Sequence, residues 1–214
     1  MKIVVTGSSS GIGKAIAQKF LKEGHEVVGI DKLPQSVKHK NYTHIVNDIC
    51  GALPEIENVE VLINNAGVQD SGCDIDVNLK GTIAVTEKYA LQPKIKSVVF
   101  IASASAETGS EFPEYAASKG GMVAYMKNVA LRVAKYGATS NSLSPGGVLT
   151  PLNQHVMDDP DLWRQVMDET PLKKWASAEE IAEWTYFVAV INKSMTAQNI
   201  LIDNGEAARA NFIW

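Results

Sequence analysis

Short, continuously apolar runs alternate along the chain with longer stretches whose apolar residues recur at helical spacing, the pattern of an α/β protein. The first run, Ile3-Val4-Val5, lies in a strand expected over residues 2–6. A glycine turn, a helix over about residues 12–23 and a second apolar run from His25 to Ile30 follow. Their lengths and β-branched content predict a right-handed βαβ unit. Further strands are expected at residues 42–46, 59–63, 97–102, 139–143 and 199–202. The run at 97–102 is apolar enough to be buried on both faces, as in a parallel sheet. Helices are expected over residues 74–91, with Pro93 as the stop, and over 113–135. Another starts at Ser177, where Glu180 completes a capping-box pattern. The connection between residues 47 and 58 leaves little room for a crossover helix, and residues 151–175 read as irregular or weakly helical. Without repeats, low-complexity segments or a linker, residues 1–214 are expected to form one domain.

Composition narrows the function classes. The chain has 214 residues and a formal net charge of −4, with no basic block, so nucleic acid is not expected as the main partner. Cys50 and Cys73 fit no metal or disulfide spacing, which points to a reducing compartment and to no structural metal. The leading apolar run is far too short for a signal segment or a membrane span, so a cytoplasmic protein with no membrane partner is expected.

The first candidate site is the turn Thr6-Gly7-Ser8-Ser9-Ser10-Gly11-Ile12-Gly13. Glycines there let the backbone turn sharply and approach a pyrophosphate, whose charge suits a helix N-terminus. Gly7, Ser9, Ser10, Gly11, Ile12 and Gly13 are the expected cradle. The G-x-x-x-G-x-G spacing departs from the commoner G-x-G-x-x-G fingerprint. Asp31 ends the second strand, 18 residues after Gly13, where a carboxylate accepts from ribose hydroxyls and repels a 2′-phosphate. Neither Ser8, Ser9 nor Ser10 is basic, which favours NAD over NADP, although Lys32 adjoins the carboxylate. Asn64-Asn65-Ala66-Gly67 follows the fourth strand; it is either an ordinary turn or a set of amides that tie strand ends together beside a nucleotide. Ser103 follows the fifth strand, at the sheet edge where ligands bind. In Tyr115-Ala-Ala-Ser-Lys119 the phenol and ammonium share one helical face. A phenol ordinarily titrates near 10, and a neighbouring cation lowers that value, which fits the pair to move a proton at neutral pH.

In this order, Thr6-Gly7-x-x-x-Gly11-x-Gly13, Asp48-Ile49, Asn64-Asn65-Ala66-Gly67, Val77-Asn78, Ser103, Tyr115-x-x-x-Lys119 and Pro145-Gly146 with Thr150 span nearly the whole chain. With them the chain resembles the compact branch of the short-chain dehydrogenase/reductase superfamily. That resemblance implies a Rossmann-type doubly wound domain, with a parallel seven-stranded sheet in the order 3-2-1-4-5-6-7 and helices on both faces. It also implies NAD(P)-dependent interconversion of alcohols and ketones. Carried over, Tyr115 is the acid/base. Lys119 lowers its pKa and binds the nicotinamide ribose, and Ser103 donates to the substrate oxygen. Asn78 holds a water against Lys119 through its main chain. Asp48 and Ile49 flank the adenine, and Asn65, Ala66 and Gly67 line the cofactor cleft. Pro145 and Gly146 border the cleft too, with Val148 and Thr150 holding the carboxamide. A small-molecule substrate and a homo-oligomer, dimer or tetramer, are the implied partners, and the apolar end Phe212-Ile213-Trp214 is a candidate contact.

The segments from Asp48 to Val59 and from Gly67 to Asn78 are shorter than the resemblance leads one to expect. Ser105 stands two residues from Ser103 as an alternative donor. Residues 148–175 are the candidate substrate lid, with Met157, Trp163, Met167 and Trp175 either capping an apolar pocket or forming a buried helix face. His155 lies in that segment and reads as a surface histidine, with contact to substrate as the alternative. The competing function is a non-catalytic dinucleotide sensor acting through a protein partner, which the fold alone would permit. An epimerase or dehydratase would need a longer C-terminal substrate domain.

Overall fold

The β-branched runs become β1 (Lys2–Thr6), β2 (Glu26–Asp31), β3 (Tyr42–Val46), β4 (Val61–Asn64), β5 (Ser97–Ile101) and β6 (Thr139–Pro145). Two short strands, β7 (Val148–Leu149) and β8 (Ala176–Ser177), precede β9 (Asn199–Ile202). In the computed structural model, which describes residues 1–110 and 112–208, seven of these form a parallel sheet in the order β3-β2-β1-β4-β5-β6-β9. That is the topology the family resemblance implies, with β9 as its seventh strand. The terminal Phe212-Ile213-Trp214 lies outside the described residues.

Helices cover both faces. On one side α1 (Gly11–Lys22) buries Ile16, Phe20 and Leu21 against β1 and β2. On the other, α2 (Thr82–Tyr89), the short α3 (Ser105–Thr108) and α4 (Pro113–Val133) bring Val85, Met122, Met126 and Val129 onto Val98 and Phe100. Each large apolar side chain removed from water in this way contributes on the order of 1.5–3 kcal/mol. Beyond β7 come α5 (Gln154–Met157), α6 (Pro160–Glu169) and α7 (Ala178–Tyr186). The last opens with the expected capping box: the Ser177 hydroxyl accepts from the Glu180 N–H, and the Glu180 carboxylate accepts from the Ser177 N–H. No helix among the described residues is long and apolar enough to cross a membrane.

Two local features depart from the sequence pattern. The helix expected from residue 74 winds in wide, π-type turns over Ile75–Gly81 before tightening into α2. Residues 151–175 are more ordered than their composition suggests, because α6 has Asp159 accepting from the Asp161 and Leu162 N–H groups as its N-cap. The β7–β8 pair, absent from the sequence reading, closes that segment back onto the main body.

Strand order reverses at β1, whose neighbours are β2 on one side and β4 on the other, so a crevice opens at their carboxyl ends. The candidate residues converge there.

Candidate active site

At the turn after β1, Gly7 has φ +68°, a conformation that favours glycine. A Cβ on Gly13 would lie 2.0 Å from the Gly7 carbonyl oxygen, so the first turn of α1 packs directly on the loop. Ser10 is the N-cap in extended conformation, but its side chain makes no capping bond and the first turn carries no acidic residue. The leading N–H groups are therefore available to an anion. Thr6 and Asn65 brace this turn. The Thr6 hydroxyl oxygen accepts from the Asn65 and Ala66 N–H groups at 3.0 and 3.1 Å. The Asn65 amide donates to the Thr6 and Gly7 carbonyls at 3.0 and 3.1 Å. Of the two sequence readings for 64–67, the strand-tying one is what the structure contains. Asn64 instead points inward, donating to the Thr86 hydroxyl at 2.9 Å.

Asp31 is fixed by two backbone donors, Ser9 N–H at 2.8 Å and Leu33 N–H at 2.9 Å. Lys32, the residue that blurred the sequence argument, has its Nζ 3.8 Å from the Asp48 carboxylate. These groups border a cleft of about 1260 Å³ running along the sheet's carboxyl edge. Gly7, Ser10, Gly11 and Ile12 line it, as do Asp31, Asp48, Ile49, Asn65, Ala66 and Gly67. Ser103, Tyr115 and Lys119 line it too, together with Pro145, Gly146, Val148 and Thr150. Ser9, Gly13 and Asn78 do not line it; they support it from behind. A glycine turn leading into an uncapped helix N-terminus, a carboxylate at the end of β2 and a long cleft together fit a dinucleotide.

Ser103 and Ser105 stand together, with their hydroxyl oxygens 3.0 Å apart, and the Ser105 N–H donates to the Ser103 oxygen at 3.2 Å. Ser105 is the more deeply buried of the two, which leaves Ser103 the more accessible. One helical turn of α4 separates Tyr115 from Lys119, whose Nζ lies 5.6 Å from the Tyr115 ring centroid. Lys119 is only 4% exposed, and its ammonium donates to the Ile101 carbonyl at 3.0 Å. Burial pushes the Lys119 pKa down to about 8, and the negative charge of Asp74 opposes the fall.

Asparagine is a poor helix former, and Asn78 falls inside the helix expected over residues 74–91. It is fully buried. Its amide exchanges two hydrogen bonds with the Val68 backbone, both 2.8 Å, and donates to the Ser118 hydroxyl at 3.0 Å. The wide turns of Ile75–Gly81 carry this side chain between the shortened 68–74 loop and α4. Asp74, one turn earlier and 1% exposed, accepts from the Asp70 and Ser71 N–H groups and so caps the same loop. Nothing in local sequence marked Asp74.

At the far end of the cleft the structure divides the methionines and tryptophans between the two readings open in the sequence. Leu162, Gln165, Val166 and Glu169 of α6 line it, whereas Met157, Trp163 and Met167 do not. Helical spacing is the reason: 162, 166 and 169 share one face, and Trp163 and Met167 share the next. Trp163 instead packs edge-on against Trp175, ring centroids 5.0 Å apart. Trp175 does reach the cleft, and a Cβ on Gly147 would lie 2.0 Å from its indole. His155 is exposed and lies at the rim. Glu206, in the turn after β9, was missed: its carboxylate accepts from the Thr170 hydroxyl at 2.9 Å and faces the same end.

A Rossmann-type sheet whose carboxyl-edge cleft is lined by Ser103, Tyr115 and Lys119 fits a nicotinamide-linked oxidoreductase. The family model described as short chain dehydrogenase matches residues 1–45, and that described as Enoyl-(Acyl carrier protein) reductase matches residues 38–206. The chain belongs to the short-chain dehydrogenase/reductase superfamily, oxidoreductases that bind nicotinamide cofactors. It is 29% identical to a 3-oxoacyl-[acyl-carrier-protein] reductase FabG of Buchnera aphidicola, covering 94% of each chain. A glucose 1-dehydrogenase of Gluconobacter oxydans is 27% identical over 99% of this chain and 93% of its own. Among solved structures, the ligand-free aldohexose dehydrogenase of Thermoplasma acidophilum superposes with a TM-score of 0.85 at 25% identity, covering 100% of this chain and 96% of that one.

Proposed function

We propose that this chain interconverts a small secondary alcohol and its ketone with NAD as the cofactor, Tyr115 moving the proton. The observation that carries the reading is the placement of a buried ammonium, Lys119, 5.6 Å from the Tyr115 ring in a cleft that Ser103 also lines. A cation held there favours the phenolate electrostatically, so the phenol takes the alcohol proton in oxidation and returns it in reduction. The Ser103 hydroxyl donates to the substrate oxygen as negative charge develops on it, and Ser105 holds that hydroxyl in place. Lys119 also binds the nicotinamide ribose. Asn78 and Asp74 keep the neighbouring loop closed behind the ammonium. Bound nicotinamide supplies the hydride acceptor or donor.

Gly7, Ser10, Gly11 and Ile12 hold the pyrophosphate, while Ser9 and Gly13 shape the turn behind them. Asp48 and Ile49 flank the adenine, and Val148 and Thr150 orient the carboxamide. NAD is preferred over NADP because the Asp31 carboxylate is locked at the ribose end by two backbone donors, while Lys32 is drawn towards Asp48. The helical segment within residues 148–175 acts as a lid over substrate. Exposed Trp184, Phe187 and Ile191 give a homo-oligomer an apolar contact.

The test follows the absorbance of reduced cofactor against secondary alcohols and ketones with both dinucleotides. Turnover with NAD faster than with NADP is expected. Saturable dinucleotide binding with no turnover on any alcohol or ketone would instead favour the sensor.

A further inference from the structure

One carboxylate of the cleft has no part in the proton transfer or in cofactor binding. Glu206 projects from the turn after β9 onto Gly146, where a Cβ would lie 2.7 Å from its Oε2. Next to Gly146, the Pro145 carbonyl accepts from the Ala104 N–H at 2.8 Å, so Glu206 sits beside the strand end that joins the Ser103 loop. The other oxygen, Oε1, is fixed by the Thr170 hydroxyl at 2.9 Å. No basic side chain among the described residues forms an ion pair with this carboxylate. Burial pushes the Glu206 carboxyl above the usual range, and the nearby charge of Asp203 adds to the rise. The Thr170 hydroxyl, the Gly147 amide and the Trp175 indole pull the other way.

A half-buried acceptor oriented by a neighbouring hydroxyl, at the substrate end of a cleft, discriminates between ligands. A ligand that brings a donor adds a hydrogen bond to those the carboxylate already accepts; one that brings only hydrocarbon displaces water from the carboxylate and replaces none of its bonds. An anionic ligand meets like charge, since Glu169 lines the same end. We propose that the cognate alcohol carries a second hydrogen-bond donor, a hydroxyl or an ammonium, apart from the reacting carbinol, and that Glu206 accepts it. This rests on reading the cleft as a site of alcohol oxidation. Glu206 is then a specificity-determining residue, while Ser103, Tyr115 and Lys119 carry the chemistry.

The experiment compares kcat/KM for 2-butanol, 2,3-butanediol, 3-amino-2-butanol and 3-hydroxybutyrate in the native protein and in Glu206→Leu and Glu206→Gln. The ratio between two substrates on one variant does not depend on how much of that variant is folded. The native protein is expected to favour the diol or the amino alcohol over 2-butanol by at least about tenfold, and Glu206→Leu to bring that ratio close to one. Glu206→Gln keeps an oxygen acceptor without the charge. It is expected to retain most of a preference for the diol and to lose a preference for the ammonium, which tells the two donors apart. A native preference for 2-butanol or 3-hydroxybutyrate, or an unchanged ratio in Glu206→Leu, would overturn the inference and leave the oxidoreductase reading standing. Failure of all four alcohols to reduce the cofactor, in a protein that binds it, removes that reading and this inference with it.

Discussion

At the cofactor end of the cleft, polar side chains are held by backbone groups: Asp31 by two N–H donors, and Asn65 by the carbonyls of Thr6 and Gly7. At the substrate end, α5 and α6 bury no residue, and Leu152 is 59% exposed. The first region is set by strand ends and tight turns, so its geometry varies little without breaking the sheet. The second is attached by the two-residue β7–β8 pair, the Trp163–Trp175 contact and the Thr170–Glu206 bond. Segments with so little buried area open at low free energy. On the proposed function, the rigid half fixes the reaction and the loosely packed half selects the substrate.

Lys119 stands where the two halves meet, and replacing it should separate stability from function most sharply. Its pKa of about 8 lies below the usual lysine value of 10.5, so the native state pays for holding the charge at neutral pH. Lys119→Met should therefore raise stability at pH 7 by up to about 3 kcal/mol while reducing turnover by about a thousandfold or more. Between pH 8 and 10.5 the unfolded chain binds more protons at this site than the folded one, so native stability rises with pH there. The advantage of the methionine variant should shrink over the same window, which denaturant titration at pH 7 and pH 10 would detect. A destabilised variant would mean that the ammonium is a net structural asset.

Asp31→Ala addresses the cofactor half alone. The ratio of kcat/KM for NAD over NADP should fall by about ten- to a hundredfold, since the variant loses a charge-assisted bond to ribose and a repulsion of the 2′-phosphate. The KM for the alcohol should barely move; a matching rise in it would show that the halves are not independent. Gly147→Ala tests the other side with a smaller effect. The added methyl meets the Trp175 indole, so the indole and the segment attached to it must shift. Substrate KM should rise by about three- to tenfold, with the dissociation constant for NADH within about twofold of the native value.

The same division decides what the sequence discloses. The placement of Gly7, Gly11, Gly13, Asp31, Tyr115 and Lys119 is legible because it depends on local spacing: a turn, a strand end, one helical repeat. The strands are legible because apolar β-branched runs bounded by turns have few alternatives. Asn78 is not legible in the same way, since its place depends on wide helical turns that no propensity announces. Glu206 and Thr170 lie 36 positions apart, and only the packing of α6 against the turn after β9 brings them together. On α6, conspicuous Trp163 and Met167 drew attention from Leu162 and Val166, although helical periodicity alone separates the two faces. Glycine carries the least local signal of all at 147, where the indole it accommodates is 28 residues away.

The account depends most on the phenol of Tyr115. The direct measurement is single-turnover oxidation of an accepted alcohol by Tyr115→Phe, alongside a fluorescence titration of the same variant with NADH. The rate should fall by about a thousandfold, within the range for removal of a positioned general acid or base, while NADH affinity stays within about threefold of native. Oxidation at the native rate with NADH still bound would contradict it, because the proton would then leave by a route that does not involve this residue.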